Sequence, residues 1–141
     1  MGLISLDTNV VVALFIEDAH SEAAEALLKT QGPNCTISDL VKAEFAGVMG
    51  RRFRGGRLTS ASAMAAMDDF DLWVSSGVTV APLVPADFTE AALWLRQIDM
   101  ALSTPDALHI AIARRLGLTL ATFDRGMATA ARALGLSVLG A

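Results

Sequence analysis

Four acidic side chains lie beside or within apolar segments, where a charged carboxylate is unusual. They are Asp7, Glu44, Asp106 and Asp124. Asp7 and Asp124 each follow a short apolar run, and Asp106 opens a segment that is otherwise nearly all apolar. Glu44 shares a helical stripe with apolar residues. Carboxylates held close together repel one another, so a group of four is tolerable mainly when it binds cations. Oxygen ligands of this kind select hard ions such as Mg²⁺ or Mn²⁺.

Such a group would support hydrolysis of nucleic acid. Ions held by carboxylates orient a water molecule, lower its pKa and stabilise the charge that develops on a phosphodiester during in-line attack. The formal net charge of −4 argues against binding to a polyanion. Two divalent cations would cancel the charge of the four acids, and the nine arginines would then help to set the field that a substrate meets. The charge therefore does not exclude RNA as a substrate.

Each acid also has an explanation that needs no metal. Asp7 and Asp124 are suited to cap the helices that follow them, and Asp106 in a first helical turn interacts favourably with the helix dipole. Glu44 on an inward stripe would be stable if it paired with an arginine. His109, one turn after Asp106, is expected to be a partly buried histidine with satisfied hydrogen bonds rather than a metal ligand. Convergence in one pocket is what would favour the metal site.

The elements that position these acids alternate along the chain between strands and helices. Short apolar or alternating runs predict strands at residues 3–6, 35–37, 78–80, 119–123 and 137–139. Helical spacing, N-caps and Gly or Pro stops predict helices at residues 9–16, 20–30, from 38 to the Arg-Gly cluster at 51–57, 59–75, 85–100, from 104, and 125–134. This alternation predicts an α/β fold with a central parallel sheet of about four to five strands flanked by helices. Functional groups gather at the carboxyl ends of such strands.

Length and composition favour one well-packed domain, residues 1–141. Hydrophobic residues make up 53% of the chain and charged residues 18%, which indicates a filled core. Apolar runs fall short of the ~20 residues that cross a bilayer, and the start lacks the features of a signal peptide, so a cytoplasmic protein is expected. The single cysteine, Cys35, cannot form an internal disulfide and is expected to be buried packing.

One segment concentrates positive charge: Arg51, Arg52, Arg54 and Arg57, with two glycines among them. The segment would serve either as a mobile phosphate-binding edge near the cleft or as a solvated helix end whose charge suits the helix dipole. Both interpretations stay open at this point.

Four segments resemble the motifs of the PIN domain, and within it the toxin ribonucleases of VapBC toxin–antitoxin pairs. They are Leu6-Asp7-Thr8-Asn9-Val10, Lys42-Ala43-Glu44, Pro105-Asp106-Ala107-Leu108-His109-Ile110-Ala111-Ile112-Ala113 and Ala121-Thr122-Phe123-Asp124-Arg125. Each pattern alone is weak. Together, in this order and with family-like spacing over nearly the whole chain, they are specific.

The resemblance implies a PIN-like fold, divalent-metal-dependent cleavage of RNA, a homodimer, and a VapB-like antitoxin encoded beside this chain. It implies that Asp7, Glu44, Asp106 and Asp124 bind Mg²⁺ or Mn²⁺, one or two ions, and that Thr8, Asn9 and Thr122 support the site. The family does not fix the RNA target.

Apolar stripes on two predicted helices are larger than a sheet cover requires. We expect most of these side chains in the core and part of them in an antitoxin groove or a dimer contact, as the family suggests. They are Val10, Val11, Leu14 and Phe15 on the first helix and Met64, Met67, Phe70 and Trp73 on the fourth.

Three other functions were weighed against this interpretation. A haloacid-dehalogenase-like phosphatase needs a second Asp two places after the first and a later lysine, but Asn9 stands there and Lys42 is the last lysine. A non-catalytic interaction module would use the acids only as caps. A PIN nuclease of RNA processing, outside toxin–antitoxin systems, would lack a neighbouring antitoxin gene.

Overall fold

Five short strands with mostly buried side chains form one parallel sheet in the computed structural model, which describes residues 3–141. The strands are β1 (Ile4–Leu6), β2 (Cys35–Ser38), β3 (Thr79–Ala81), β4 (Thr119–Ala121) and β5 (Val138–Leu139). Their order across the sheet is β3-β2-β1-β4-β5, and every neighbouring pair is parallel. The predicted central parallel sheet is confirmed, with five strands.

Helices connect the strands and cover the sheet. Those within residues 3–141 are α1 (Thr8–Phe15), α2 (Ser21–Gln31), α3 (Asp39–Arg54), α4 (Ser60–Ser75), α5 (Pro85–Leu95), α6 (Thr104–Leu116) and α7 (Arg125–Ala133). The hydroxyl of Ser38 caps the start of α3, where it accepts the Val41 N–H. Gly117 ends α6 with a left-handed φ of 66°.

Two predicted elements were too long. The helix predicted for residues 85–100 ends at Leu95, because the backbone then tightens into turns in which Gln97 and Met100 donate to carbonyls three residues back. The strand predicted for residues 119–123 ends at Ala121. The Thr122 N–H still donates to the Leu139 carbonyl of β5, but the Phe123 N–H donates to the Asn9 side chain instead of a neighbouring strand.

The apolar side chains form two clusters. One lies among β1, β2 and helices α1 to α4, and the other lies among helices α5 to α7. Cys35 is buried in the first cluster, as predicted. Of the two predicted apolar stripes, only Met64 is largely exposed, at 54%, whereas the remaining side chains pack in or against the first cluster. Most of each stripe is therefore core.

The strand order places a crevice above the centre of the sheet. From β1 the chain proceeds to β2 and β3 on one side, and β4 and β5 extend the sheet on the other side. Ligands of open α/β sheets bind at the carboxyl ends of strands where the order reverses in this way. Asp7 follows β1 directly, and Thr122 follows β4 directly, at that edge. Within residues 3–141, the helices are too short or too polar to cross a membrane.

Candidate active site

Asp7 lies at the centre of the crevice, where β1 ends and α1 begins. Its carboxylate accepts the Thr8 N–H at 2.7 Å and the Thr122 hydroxyl at 2.7 Å, and only 5% of the residue is exposed. Burial raises its pKa above the ordinary value, although His109 and the two hydrogen bonds oppose that rise. Asp7 is thus the helix cap predicted from the sequence. It is also a buried carboxylate at the switch point, the place where the strand order of the sheet reverses.

Glu44 on α3 pairs with a histidine and not with an arginine. Its Oε1 accepts the Thr8 hydroxyl at 2.7 Å and lies 2.5 Å from His109 Nε2. Burial opposes ionisation of Glu44, but these two hydrogen bonds outweigh it and hold the pKa below the ordinary value. The partner of Glu44 is therefore His109 rather than the arginine considered from the sequence, and this pair joins α3 to α6.

His109 is buried among the acids. Besides Glu44, its Nε2 lies 3.6 Å from an Asp7 oxygen, and the residue is 3% exposed. Burial disfavours its protonation, but the hydrogen bond to Glu44 and the charges of its carboxylate neighbours raise its pKa above the ordinary value. The expectation of a satisfied histidine is confirmed, and its burial is deeper than predicted. When protonated, His109 offsets part of the repulsion among the acids.

Asp106 and Asp124 approach the crevice from the starts of two helices. The Ser103 hydroxyl accepts the Asp106 N–H and so fixes the first turn of α6. Burial and the neighbouring charge of Asp7 raise the pKa of Asp106 above the ordinary value. Asp124 caps α7, because its Oδ1 accepts the Met127 N–H at 2.9 Å.

All four predicted carboxylates line one cleft of about 380 Å³. Thr8 and Asn9 line it as well, together with Asp18, His20 and Arg52. The first-turn and cap explanations of the acids are therefore correct locally, but they do not exclude the site, since the same side chains converge. The roles of the four acids in catalysis and metal binding stay a prediction.

One buried hydroxyl connects two of the acids. Thr122 is fully buried, and its Oγ1 donates to Asp7 Oδ2 while it accepts the Asp124 N–H at 3.1 Å. The Asn9 amide donates to the same oxygen at 3.4 Å, and its Oδ1 accepts the Phe123 N–H. Thr122 and Asn9 thereby connect the ends of β1 and β4, and their role in supporting a metal site stays a prediction.

The donor set suits a hard divalent cation. Within residues 3–141, no three acidic, histidine or cysteine side chains already converge closely enough to hold an ion. Both oxygens of Asp7 and the Oε1 of Glu44 accept hydrogen bonds, but each carboxylate oxygen has a second lone pair left for a cation. Asp7, Glu44, Asp106 and Asp124 line the same cleft, so they are the residues that would hold such an ion.

Of the predicted basic segment, only Arg52 lines the cleft. Arg51 lies close enough to Glu44 for its charge to help lower the pKa of that carboxylate. Sequence reasoning did not place Asp18 or His20 at the cleft. Both precede α2, and their one signal was a polar turn directly after the first helix.

Comparison with known proteins gives one consistent result. A family model described as the PIN domain matches residues 4–133. Ribonuclease VapC46 of Mycobacterium tuberculosis is 29% identical over 142 residues, which cover 99% of this chain and 98% of that protein.

Two solved structures have the same fold. VapC20 of Mycobacterium tuberculosis, a sarcin-ricin loop cleaving toxin, has a TM-score of 0.70 at 24% identity, over 94% of this chain and 95% of that chain. VapBC2 of Rickettsia felis, bound to a DNA fragment from its promoter, has a TM-score of 0.71 at 18% identity, over 96% of each chain.

Proposed function

Because the chain belongs to the PIN domain family, we propose that it is a metal-dependent endoribonuclease and the toxin of a VapBC-type toxin–antitoxin pair. One observation carries the proposal: Asp7, Glu44, Asp106 and Asp124 line a single cleft at the switch point of the sheet. The ribonuclease name of the 29% identical relative supports the reaction. The toxin and toxin–antitoxin names of the structural neighbours support the biological role.

The four carboxylates would hold one or two Mg²⁺ or Mn²⁺ ions. When bound, such ions activate a water molecule and stabilise charge on the scissile phosphodiester. Asp7 is the central ligand in this proposal, because its charge interacts with those of Glu44 and Asp106 and hydrogen bonds orient both of its oxygens. Its raised pKa and that of Asp106 are typical of carboxylates that gain stability when a cation joins them.

The remaining polar residues orient these ligands and the substrate. Thr8 donates to Glu44, and Thr122 donates to Asp7, so that each hydroxyl fixes one carboxylate oxygen. His109 holds Glu44 from the α6 side. Arg52, half-buried at the edge of the cleft, is the side chain of the basic segment that is placed to contact an RNA phosphate.

We also propose a VapB-like antitoxin partner, a homodimer and a cytoplasmic location for a protein of one domain, residues 1–141. The partner is supported by the VapBC2 neighbour, whose two components were solved together. Exposed apolar side chains on α4, Met64 and Leu72, supply surface that an antitoxin helix or a second copy would cover.

The test is cleavage of total cellular RNA by the purified chain. Four reactions are compared: with Mn²⁺ or Mg²⁺, with EDTA, with the Asp7→Asn variant, and with Asp69→Asn, an exposed acid on α4 that serves as the matched control. Discrete cuts should require the metal, disappear with EDTA and in Asp7→Asn, and persist in Asp69→Asn. Cuts that survive in Asp7→Asn would refute the proposed site. An intact, folded chain that cuts no RNA would favour a non-catalytic module.

A further inference from the structure

Two aromatic side chains from different parts of the chain stack at the edge of the cleft. The rings of His20 and Phe123 are nearly parallel, with centroids 4.7 Å apart and an interplanar angle of 11°. His20 is exposed and lines the cleft that the four acids share. Phe123 is half-buried and directly precedes Asp124.

The backbone at both residues is held by hydrogen bonds, and the Phe123 ring is also closely packed. The Phe123 N–H donates to the Asn9 side chain, and Gly140 packs so closely that a Cβ there would lie 3.3 Å from the Phe123 ring. On the other side, the His20 N–H donates to Asp18 Oδ1 at 2.7 Å, and the Asp18 N–H donates to the Ser21 hydroxyl. The stack therefore joins two backbone segments that hydrogen bonds hold in place.

Phe123 stacks on one face of the His20 ring. Because His20 is exposed and lines the cleft, we infer that its opposite face can receive a planar group there. The stack could simply hold the loop before α2 against the loop after β4. That role would not require an exposed ring at the cleft. Single-stranded RNA is recognised largely through bases that stack on aromatic or histidine side chains. Such stacking is tolerant of sequence, because every base has a flat face.

We propose that His20, backed by Phe123, is a stacking platform for one base of a single-stranded RNA segment that lies in the acidic cleft. This inference deepens the proposed nuclease function and rests on RNA as its substrate. The platform orients the strand relative to Asp124, the neighbour of Phe123 in the chain. It also implies that the preferred target is an unpaired loop or end, because a base inside a duplex has no free face.

Fluorescence of short RNA oligonucleotides tests the platform without requiring cleavage. Each oligonucleotide carries one 2-aminopurine, moved from position to position, and the full-length chain is added in Ca²⁺ with RNA integrity checked on a gel. The variants are His20→Ala, His20→Gln and His20→Phe, with Phe88→Ala as the control because Phe88 is an exposed aromatic that does not line the cleft. Circular dichroism confirms that each variant is folded.

The platform predicts strong quenching at one position for the wild-type chain and for His20→Phe. In His20→Ala and His20→Gln that quenching should disappear and the affinity should fall about tenfold, whereas Phe88→Ala should behave like the wild type. If His20→Ala does not fold, the comparison of His20→Gln with His20→Phe decides. Equal quenching in the variants without a ring, or no quenching in the wild type at any position, would overturn the inference. Quenching without cleavage in Mn²⁺ would instead leave the platform standing and refute the nuclease.

Discussion

The Thr122 hydroxyl offers the sharpest single perturbation of the site. Thr122→Val keeps the shape of the side chain but removes the donor to Asp7 Oδ2, 2.7 Å away, and the acceptor for the Asp124 N–H, 3.1 Å away. A buried hydrogen bond to a charged group contributes about 2 kcal/mol and one to a backbone N–H about 1 kcal/mol. The variant should therefore be about 3 kcal/mol less stable than the wild type.

The same change should weaken metal binding. The hydrogen bond from Thr122 lowers the pKa of Asp7 and so opposes the effect of burial. Without it, the pKa of Asp7 should rise further and the carboxylate should lose a contact that orients it. Loss of such a supporting contact typically lowers metal affinity or activity about 10- to 100-fold. Thr122→Ser keeps the hydroxyl, so it should keep the metal affinity and lose only the packing of a methyl group.

Urea unfolding followed by circular dichroism gives the stability, and calorimetric titration with Mn²⁺ gives the affinity. Thr119→Val is the matched control, because Thr119 lies on β4, three positions before Thr122, and makes no side-chain hydrogen bond within residues 3–141. The reasoning fails if Thr122→Val unfolds within about 0.5 kcal/mol of the control, the usual effect of a neutral substitution. An unchanged Mn²⁺ affinity in Thr122→Val would contradict the orienting role.

Three further predictions concern other parts of the molecule. Arg52→Ala should weaken RNA binding and reduce the slope of log affinity against log salt concentration by about one. Filter binding at several salt concentrations measures both. An equal effect of Arg96→Ala, a substitution outside the cleft, would contradict a local phosphate contact. Although burial opposes protonation of His109, its carboxylate neighbours raise its pKa, so its stabilising effect is complete below pH 6.5 and is lost as the pH rises through the folded-state pKa. The melting temperature of the metal-free chain should therefore fall as the pH rises through this range. If His109→Gln shows the same dependence of melting temperature on pH, the effect does not come from His109. Arg115→Met should cost about 2–3 kcal/mol in urea unfolding, because it leaves Asp87, which is 1% exposed, without its partner at 2.8 Å; a cost near zero would show that Asp87 is satisfied without the pair.

The parallel sheet and the convergence of the four acids at one cleft could be predicted from the sequence, because both depend on local signals. An apolar run followed by Asp7 or Asp124 marks both a strand end and a helix cap, and strands alternating with helices leave few arrangements other than a parallel sheet. The inward position of Glu44 likewise followed from helical spacing alone. Each of these signals lies within a few residues of the side chain concerned.

What the sequence could not predict depends on contacts between distant segments. Glu44 and His109 are 65 residues apart, and no local pattern indicates that the charge facing Glu44 is a histidine rather than an arginine. His20 and Phe123 stack across more than a hundred positions, and the sequence predicted His20 only as the first residue of a helix, which gives no indication of a partner so distant in the chain. The helix that begins at Pro85 was predicted too long because the residues after Leu95 are compatible with a helix, whereas the backbone there forms hydrogen-bonded turns.

Metal titration and cleavage, measured on the same preparation, test the central claim most directly. Mn²⁺ is added stepwise to the metal-free chain while bound ions are counted by electron paramagnetic resonance and RNA cleavage is followed in parallel, for the wild type and for Asp7→Asn. The account predicts one or two ions per chain, cleavage that rises with their occupancy, and loss of both in Asp7→Asn. Cleavage without bound metal, or equal binding and cleavage in Asp7→Asn, would contradict it.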